Sequence, residues 1–177
     1  MKLLIIDRDG VINHDSAAFI KSTEEWRPIT GSAEAIARLS KAGYRIAVAT
    51  NQAGIARGLY DLPTLHAMHA KMHRLVQDAG GLIDAVFFCP HHENGNCECR
   101  KPRPGMIFEI LRRFDIEPSQ TCMIGDRLTD LQAGHSAGCR TTLVLTGHGQ
   151  ATLTAGGLPA GTNVRVDLGA VAAELAP

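Results

Sequence analysis

The apolar positions of this chain fall into short runs, each ended abruptly by polar residues. Residues 3–6, Leu-Leu-Ile-Ile, are apolar without alternation, as expected of a strand buried on both faces. Similar runs at 45–49, 83–88, 121–125 and 141–145 predict four more strands, with a last short one at 163–166. Between the runs, apolar residues recur at helical spacing. Ser32 is expected to cap a helix over 33–42, with Ala35, Ile36 and Leu39 as its buried face and Ala42-Gly43 as its stop. Asp61 is expected to cap a helix over about 62–79, with Pro63 in its first turn. Further helices are expected over 105–114, from Asp130 to near Gly138, and after Asp167. Residues 11–30 read as irregular, with a loop or flap at 24–28. Residues 147–162, rich in Gly, Ala and Thr, read as a mobile loop.

Strands that alternate with helices predict a three-layer α/β/α sandwich around a central parallel, Rossmann-like sheet. No gap leaves room for a large cap or second domain, so 1–177 is expected to form one domain. Lysines and arginines (18) equal aspartates and glutamates (18), so no basic excess draws the chain to nucleic acid or an anionic membrane. No apolar run approaches the roughly 20 residues that span a bilayer. The chain starts directly in a strand, which leaves no signal peptide, and a cytoplasmic location is the default expectation. No hydrophobic stripe demands a partner subunit, so a monomer is expected.

The chemistry lies where the runs stop. Asp7 and Asp9 follow the first strand two residues apart, and an extended backbone would turn both to one side. Close carboxylates repel, so they need a cation or a shared proton. Thr50 and Asn51 follow the second strand, Arg100 and Lys101 the third and its loop, and Asp126 and Asp130 the fourth. In a parallel sheet those ends meet on one edge, where ligands bind. Carboxylates for Mg²⁺, a carboxylate nucleophile and a hydroxyl, ammonium and backbone N–H groups for phosphoryl oxygens are what phosphoryl transfer requires. His66, His69 and His73 share a helix face, but no Cys or carboxylate completes a metal set there, so a packed or solvated face is expected.

Of the five cysteines, Cys122 and Cys139 sit among apolar residues and are expected in the core. Cys89, Cys97 and Cys99 crowd into the loop after the third strand with His91 and His92. Three thiolates and one imidazole make a closed tetrahedral Zn²⁺ set, hence a structural one. A zinc-knuckle nucleic-acid binder would use such a loop too, but zero net charge and the shortage of aromatic residues oppose it.

Residues 7–13 (Asp-Arg-Asp-Gly-Val-Ile-Asn), Thr50-Asn51-Gln52, Lys101-Pro102 and 125–130 (Gly-Asp-Arg-Leu-Thr-Asp) resemble the four motifs of the haloacid dehalogenase (HAD) superfamily. Residues 51–58 and Cys99-Arg100-Lys101-Pro102, together with the Cys/His loop, resemble its D-glycero-D-manno-heptose 1,7-bisphosphate 7-phosphatases; the histidinol-phosphate phosphatase domain is similar. The resemblance implies Asp7 as nucleophile and Asp9 as general acid/base. It implies Mg²⁺ held by Asp7, the backbone oxygen of Asp9 and Asp126. Thr50 and Lys101 would stabilise the phosphoryl group, Asp130 would orient Lys101, and Asn51, Arg57, Arg100 and Arg127 would contact the sugar phosphate. The family's Cys-x-His pattern favours His91 over His92 as the fourth Zn²⁺ ligand beside Cys89, Cys97 and Cys99. The expected role is in nucleotide-activated heptose synthesis for lipopolysaccharide core or surface glycans, with histidinol phosphate or another small sugar phosphate as the rival substrate. Ala53, where Ser is frequent, and the short loop depart from the pattern.

Overall fold

The computed structural model describes residues 2–177. Six strands form one parallel sheet: β1 (Lys2–Ile6), β2 (Tyr44–Asn51), β3 (Ala85–Cys89), β4 (Thr121–Gly125), β5 (Arg140–Val144) and β6 (Asn163–Arg165). Their order is β3-β2-β1-β4-β5-β6. The chain builds outward from β1 to β3, then crosses back and builds outward from β4 to β6. The order therefore reverses between β1 and β4, and the crevice outside the carboxyl ends of those two strands is where such sheets bind ligands. Register is continuous there: Ile6 pairs with Val48 on one side and Ile124 on the other, and Asp7 N–H donates to Ile124 O (2.9 Å).

Six α-helices cover the sheet: α1 (Ser32–Lys41), α2 (Leu62–Asp78), α3 (Gly105–Phe114), α4 (Leu128–Ser136), α5 (Gly149–Ala155) and α6 (Leu168–Leu175). Strand alternation splits the core in two. Leu4 and Ile6 pack with Ile36, Leu65 and Val171 on one face, and Leu3 and Ile5 with Ile107, Ile110 and Ala133 on the other. Cys122 and Cys139 are buried as expected. Among the described residues no helix is long and apolar enough to cross a membrane.

Three expectations need correction. Ser32 is not the cap of α1: Gly31 is, with φ 84°, and Ser32 Oγ instead donates to Ile12 O (2.8 Å), tying the helix to the loop after β1. That loop is no flap. Trp26 is fully buried, and Lys71 Nζ donates to the carbonyls of Thr23 (2.6 Å) and Trp26 (2.8 Å), so the segment is pinned from α2. Truncating a side chain of that size would cost about 3–5 kcal/mol. Residues 147–162 hold α5 rather than a loop throughout. Its start is fixed by Asp126, whose Oδ2 accepts from His148 N–H (2.7 Å) and whose carbonyl accepts from Thr152 Oγ1 (2.8 Å). Small residues at 149–155 weakly favour a helix alone; the buried carboxylate supplies the anchor. Asp61 and Asp167 do cap α2 and α6, accepting from the N–H groups of Thr64 and Ala170.

Candidate active site

Lys101 reaches the sheet edge from the loop after β3 and is almost fully buried. Its ammonium donates to Asp7 (2.8 Å), Asp130 (2.6 Å) and Ala49 O (2.7 Å), so all three N–H bonds are used. Burial opposes the charge, but Asp130 and Asp7 hold the Lys101 pKa above its ordinary value. The side chain of Asn51 clasps the Lys101 backbone at both ends, donating to its carbonyl (3.0 Å) and accepting from its N–H (3.1 Å). Asn51 lines the cavity, and these two bonds leave its amide one N–H and one lone pair beyond those spent on placing Lys101.

Asp7, Asp126 and Asp130 bring carboxylate oxygens within 4.8 Å of one another, all buried. Three carboxylates against one ammonium leave an excess of negative charge in a dry site, which is costly without a cation. Burial first, then Asp130, raises the Asp7 pKa well above the usual carboxylate range; the same two causes lift Asp126 to about 7. Both Asp130 oxygens are engaged, one by Lys101 and one by Arg127 N–H (3.0 Å). Asp126 Oδ1, by contrast, is buried with no partner. That orphaned oxygen beside Asp7 fits an oxygen-seeking cation such as Mg²⁺. Gly10 (φ 84°) allows the approach, since a Cβ there would overlap the Asp126 carboxylate.

Asp9 lies apart from this cluster. Its carboxylate lines the same cavity, of about 330 Å³, but accepts from Arg8, Asn13 (2.8 Å) and Gln52 (2.9 Å). The D-x-D spacing does bring Asp7 and Asp9 to one cavity, while the side chain that joins Asp7 and Asp126 is Asp130. Gln52 also donates to Thr50 Oγ1 (2.8 Å) and accepts from Tyr60 OH (2.5 Å), linking the second strand's hydroxyl to Asp9. Sequence reasoning missed Arg8, Asn13, Gln52 and Tyr60. The first three stand inside the quoted motifs, so the signal existed; Tyr60 had none.

The cavity rim carries the arginines. Arg100 lines it, with Nη1 buried and unpartnered and Nη2 3.8 Å from Glu93. Arg127 lines it and pairs with Asp15 (2.8 Å), which His148 also meets (3.2 Å). Arg57 does not line it: its guanidinium pairs with Glu93 (2.7 Å) and lies 5.5 Å from the Phe19 ring. Beyond the rim, donor atoms of Cys89, His91, Cys97 and Cys99 lie within 4.8 Å of one another. His91 Nδ1 is 3.5 Å from Cys89 Sγ and 3.3 Å from Cys99 Sγ, while His92 Nδ1 accepts from Asn94 N–H. The four donors fit a tetrahedral Zn²⁺. On α2, His69 is buried with its ring 6.2 Å from that of Phe88, whereas His66 is exposed and His73 half-buried.

A protein named D-glycero-beta-D-manno-heptose-1,7-bisphosphate 7-phosphatase from Bordetella bronchiseptica is 54% identical over 99% of this chain and 98% of its own. One of the same name from Pseudomonas putida is 51% identical over 99% of each. The chain belongs to this phosphatase family. The HAD-hydrolase-like family model matches residues 98–170, which include Lys101, Asp126 and Asp130. The crystal structure of D,D-heptose 1,7-bisphosphate phosphatase from B. bronchiseptica, complexed with magnesium and phosphate, superposes with TM-score 0.97, covering 99% of this chain and 98% of that one. The corresponding enzyme from Burkholderia thailandensis gives 0.79 at 52% identity, covering 98% and 97%. This family membership makes the chain a phosphoric monoester hydrolase with a HAD-like α/β sandwich and no large cap.

Proposed function

We propose that this enzyme removes the 7-phosphate of D-glycero-D-manno-heptose 1,7-bisphosphate through an aspartyl-phosphate on Asp7. The observation that carries the reading is the Asp7–Lys101–Asp130 chain beside the orphaned Asp126 oxygen, in a cavity rimmed by Arg100. Lys101 engages Asp7 Oδ1, leaving Oδ2 to attack phosphorus. As the phosphorus–sugar oxygen bond breaks, Asp9 gives its proton to the leaving oxygen. Asp9 then takes a proton from water, whose oxygen attacks phosphorus and breaks the bond to Asp7, releasing inorganic phosphate. Thr50 Oγ donates to one phosphoryl oxygen, and the Lys101 ammonium turns its Asp7 bond to the phosphoryl group as Asp7 attacks, with Asp130 keeping Lys101 charged and in place. Mg²⁺, held by Asp7, Asp126 and the Asp9 carbonyl, would neutralise phosphoryl charge.

Arg100, with its unpartnered buried Nη1, is the group for the non-reacting phosphate. Arg127 flanks the opening, and Arg57 acts at most through Glu93. In this reading 1–177 is one domain, its loop at 89–99 holds structural Zn²⁺, and the enzyme is a cytoplasmic monomer serving surface-glycan heptose, without nucleic-acid or membrane partners. The test is kcat/KM on both anomers of the heptose bisphosphate beside histidinol phosphate. A preference for either heptose anomer by at least tenfold, roughly 1.4 kcal/mol of transition-state binding, is expected. Equal or better turnover of histidinol phosphate would replace the substrate assignment.

A further inference from the structure

Arg8 stands between the two aspartates in sequence but faces away from the cavity, and it is 1% exposed. Burying a guanidinium is costly unless its donors find acceptors. Arg8 Nε donates to Asp9 Oδ1 (3.0 Å) and Nη2 to Asp9 Oδ2 (3.0 Å), a two-pronged grip on both oxygens. Its third contact is Nη1 to His69 Nε2 (3.3 Å), from the buried face of α2. Arginine only donates, so Nε2 must accept and the ring must be neutral. Burial, then the Arg8 charge itself, pushes the His69 pKa down to about 3, consistent with an acceptor and not a second cation.

We propose that Arg8 and His69 form a buried pair that positions Asp9 for proton transfer: Arg8 fixes the plane of the carboxylate, and His69 fixes Arg8. The inference rests on Asp9 being the general acid/base. Asn13 and Gln52 hold one oxygen each, but only Arg8 spans both, so it sets the carboxylate's orientation toward the leaving oxygen. His69 touches neither the cavity nor Asp9; it is a positioning residue two contacts from the chemistry.

A poor sugar-alcohol leaving group needs a proton from Asp9, whereas p-nitrophenolate leaves without one. Hydrolysis of the aspartyl-phosphate also uses Asp9 and is common to both substrates, so loss of positioning should appear selectively on the sugar phosphate in kcat/KM, which ends at departure of the leaving group. The variants are Asp9→Asn as reference, His69→Leu, His69→Gln and Arg8→Lys, each assayed with Mg²⁺ on the heptose bisphosphate and on p-nitrophenyl phosphate, with thermal melts to confirm folding. His69→Leu removes an acceptor from a charged donor and should lower kcat/KM on the bisphosphate roughly tenfold, with kcat/KM on p-nitrophenyl phosphate nearly unchanged. His69→Gln offers an amide oxygen in place of Nε2 and should recover most of the loss. Arg8→Lys keeps the charge but loses the grip, and should show the same selectivity more strongly. If Asp9→Asn is selective in kcat/KM while His69→Leu leaves kcat/KM unchanged or lowers it for both substrates alike, this pairing is overturned and the role of Asp9 stands. If Asp9→Asn itself lowers kcat/KM for both alike, the general-acid assignment falls and this inference falls with it.

Discussion

The buried charge cluster and the Cys/His loop are two clusters of potential metal ligands built in opposite ways. Asp7, Lys101, Asp126 and Asp130 come from distant stretches and are nearly inaccessible, with Lys101 holding Asp7 and Asp130 through short ion pairs. Cys89, His91, Cys97 and Cys99 come from eleven consecutive residues, and only Cys89 is fully buried. Sheet register assembles the first; the second has no helix or strand after Cys89 and is shaped by turns such as Gly95 N–H to His92 O (2.9 Å). A site assembled by register exists before its cation arrives, whereas a short loop of thiols depends on its ion for order. The two are joined, since Cys99 lies two residues before Lys101. The order of the Cys/His loop thereby bears on how firmly the lysine of the buried cluster is held.

The largest effect should come from the buried side. Asp7→Asn replaces the nucleophile with an amide, and turnover should fall by several orders of magnitude with circular dichroism unchanged. Near-normal turnover in the pure variant would remove Asp7 from the mechanism. Next, Lys101→Ala takes the ammonium from between two buried carboxylates. It should lower kcat by about 10²–10³-fold and, without Mg²⁺, destabilise the fold by about 3–5 kcal/mol in denaturant melts. A change in KM alone would mean that Lys101 binds substrate and transition state equally.

On the loop side, protein purified without added metal should carry about one zinc per chain by elemental analysis. Removing it should lower both the melting temperature and kcat, the latter through slackened placement of Lys101. Zinc-free protein whose Cys89, Cys97 and Cys99 all react freely with a thiol reagent in the native state would break the comparison at its root.

A smaller effect links Mg²⁺ to pH. Burial and Asp130 raise Asp126 to about 7, above its unfolded value, so folding takes up a proton there. Its contribution is fully present below the unfolded pKa and is lost as pH rises through about 7. Mg²⁺ competes with that proton, so saturating Mg²⁺ should raise the melting temperature more at pH 8 than at pH 5. An equal gain at both would exclude Asp126 as the ligand. Smallest of all are the rim arginines. Arg100→Ala should raise KM for the bisphosphate more than for an aryl phosphate, while Arg57→Ala, which loses an exposed pair with Glu93, should change either by less than about fivefold.

The chain's own pattern determined the alternation of strands and helices, the caps Asp61 and Asp167, the buried β1 and the residue types at four strand ends. Those follow from local periodicity and from polar residues that stop apolar runs, both visible in one dimension. The motif spacing also made Asp7, Asp126, Lys101 and the Cys/His loop legible. What the tertiary structure decided is which of these groups touch. Asp130 rather than the Asp9 carboxylate joins Asp7 and Asp126, because Arg8, Asn13 and Gln52 hold Asp9 aside. Asn51 serves the Lys101 backbone, and Arg57 sits outside the cavity. The start of α5 is tied to Asp126 after β4 through His148 and Thr152, and the Arg8–His69 contact spans 61 positions. Contacts of that range depend on strand order and crossover geometry, which local hydrophobic spacing does not encode.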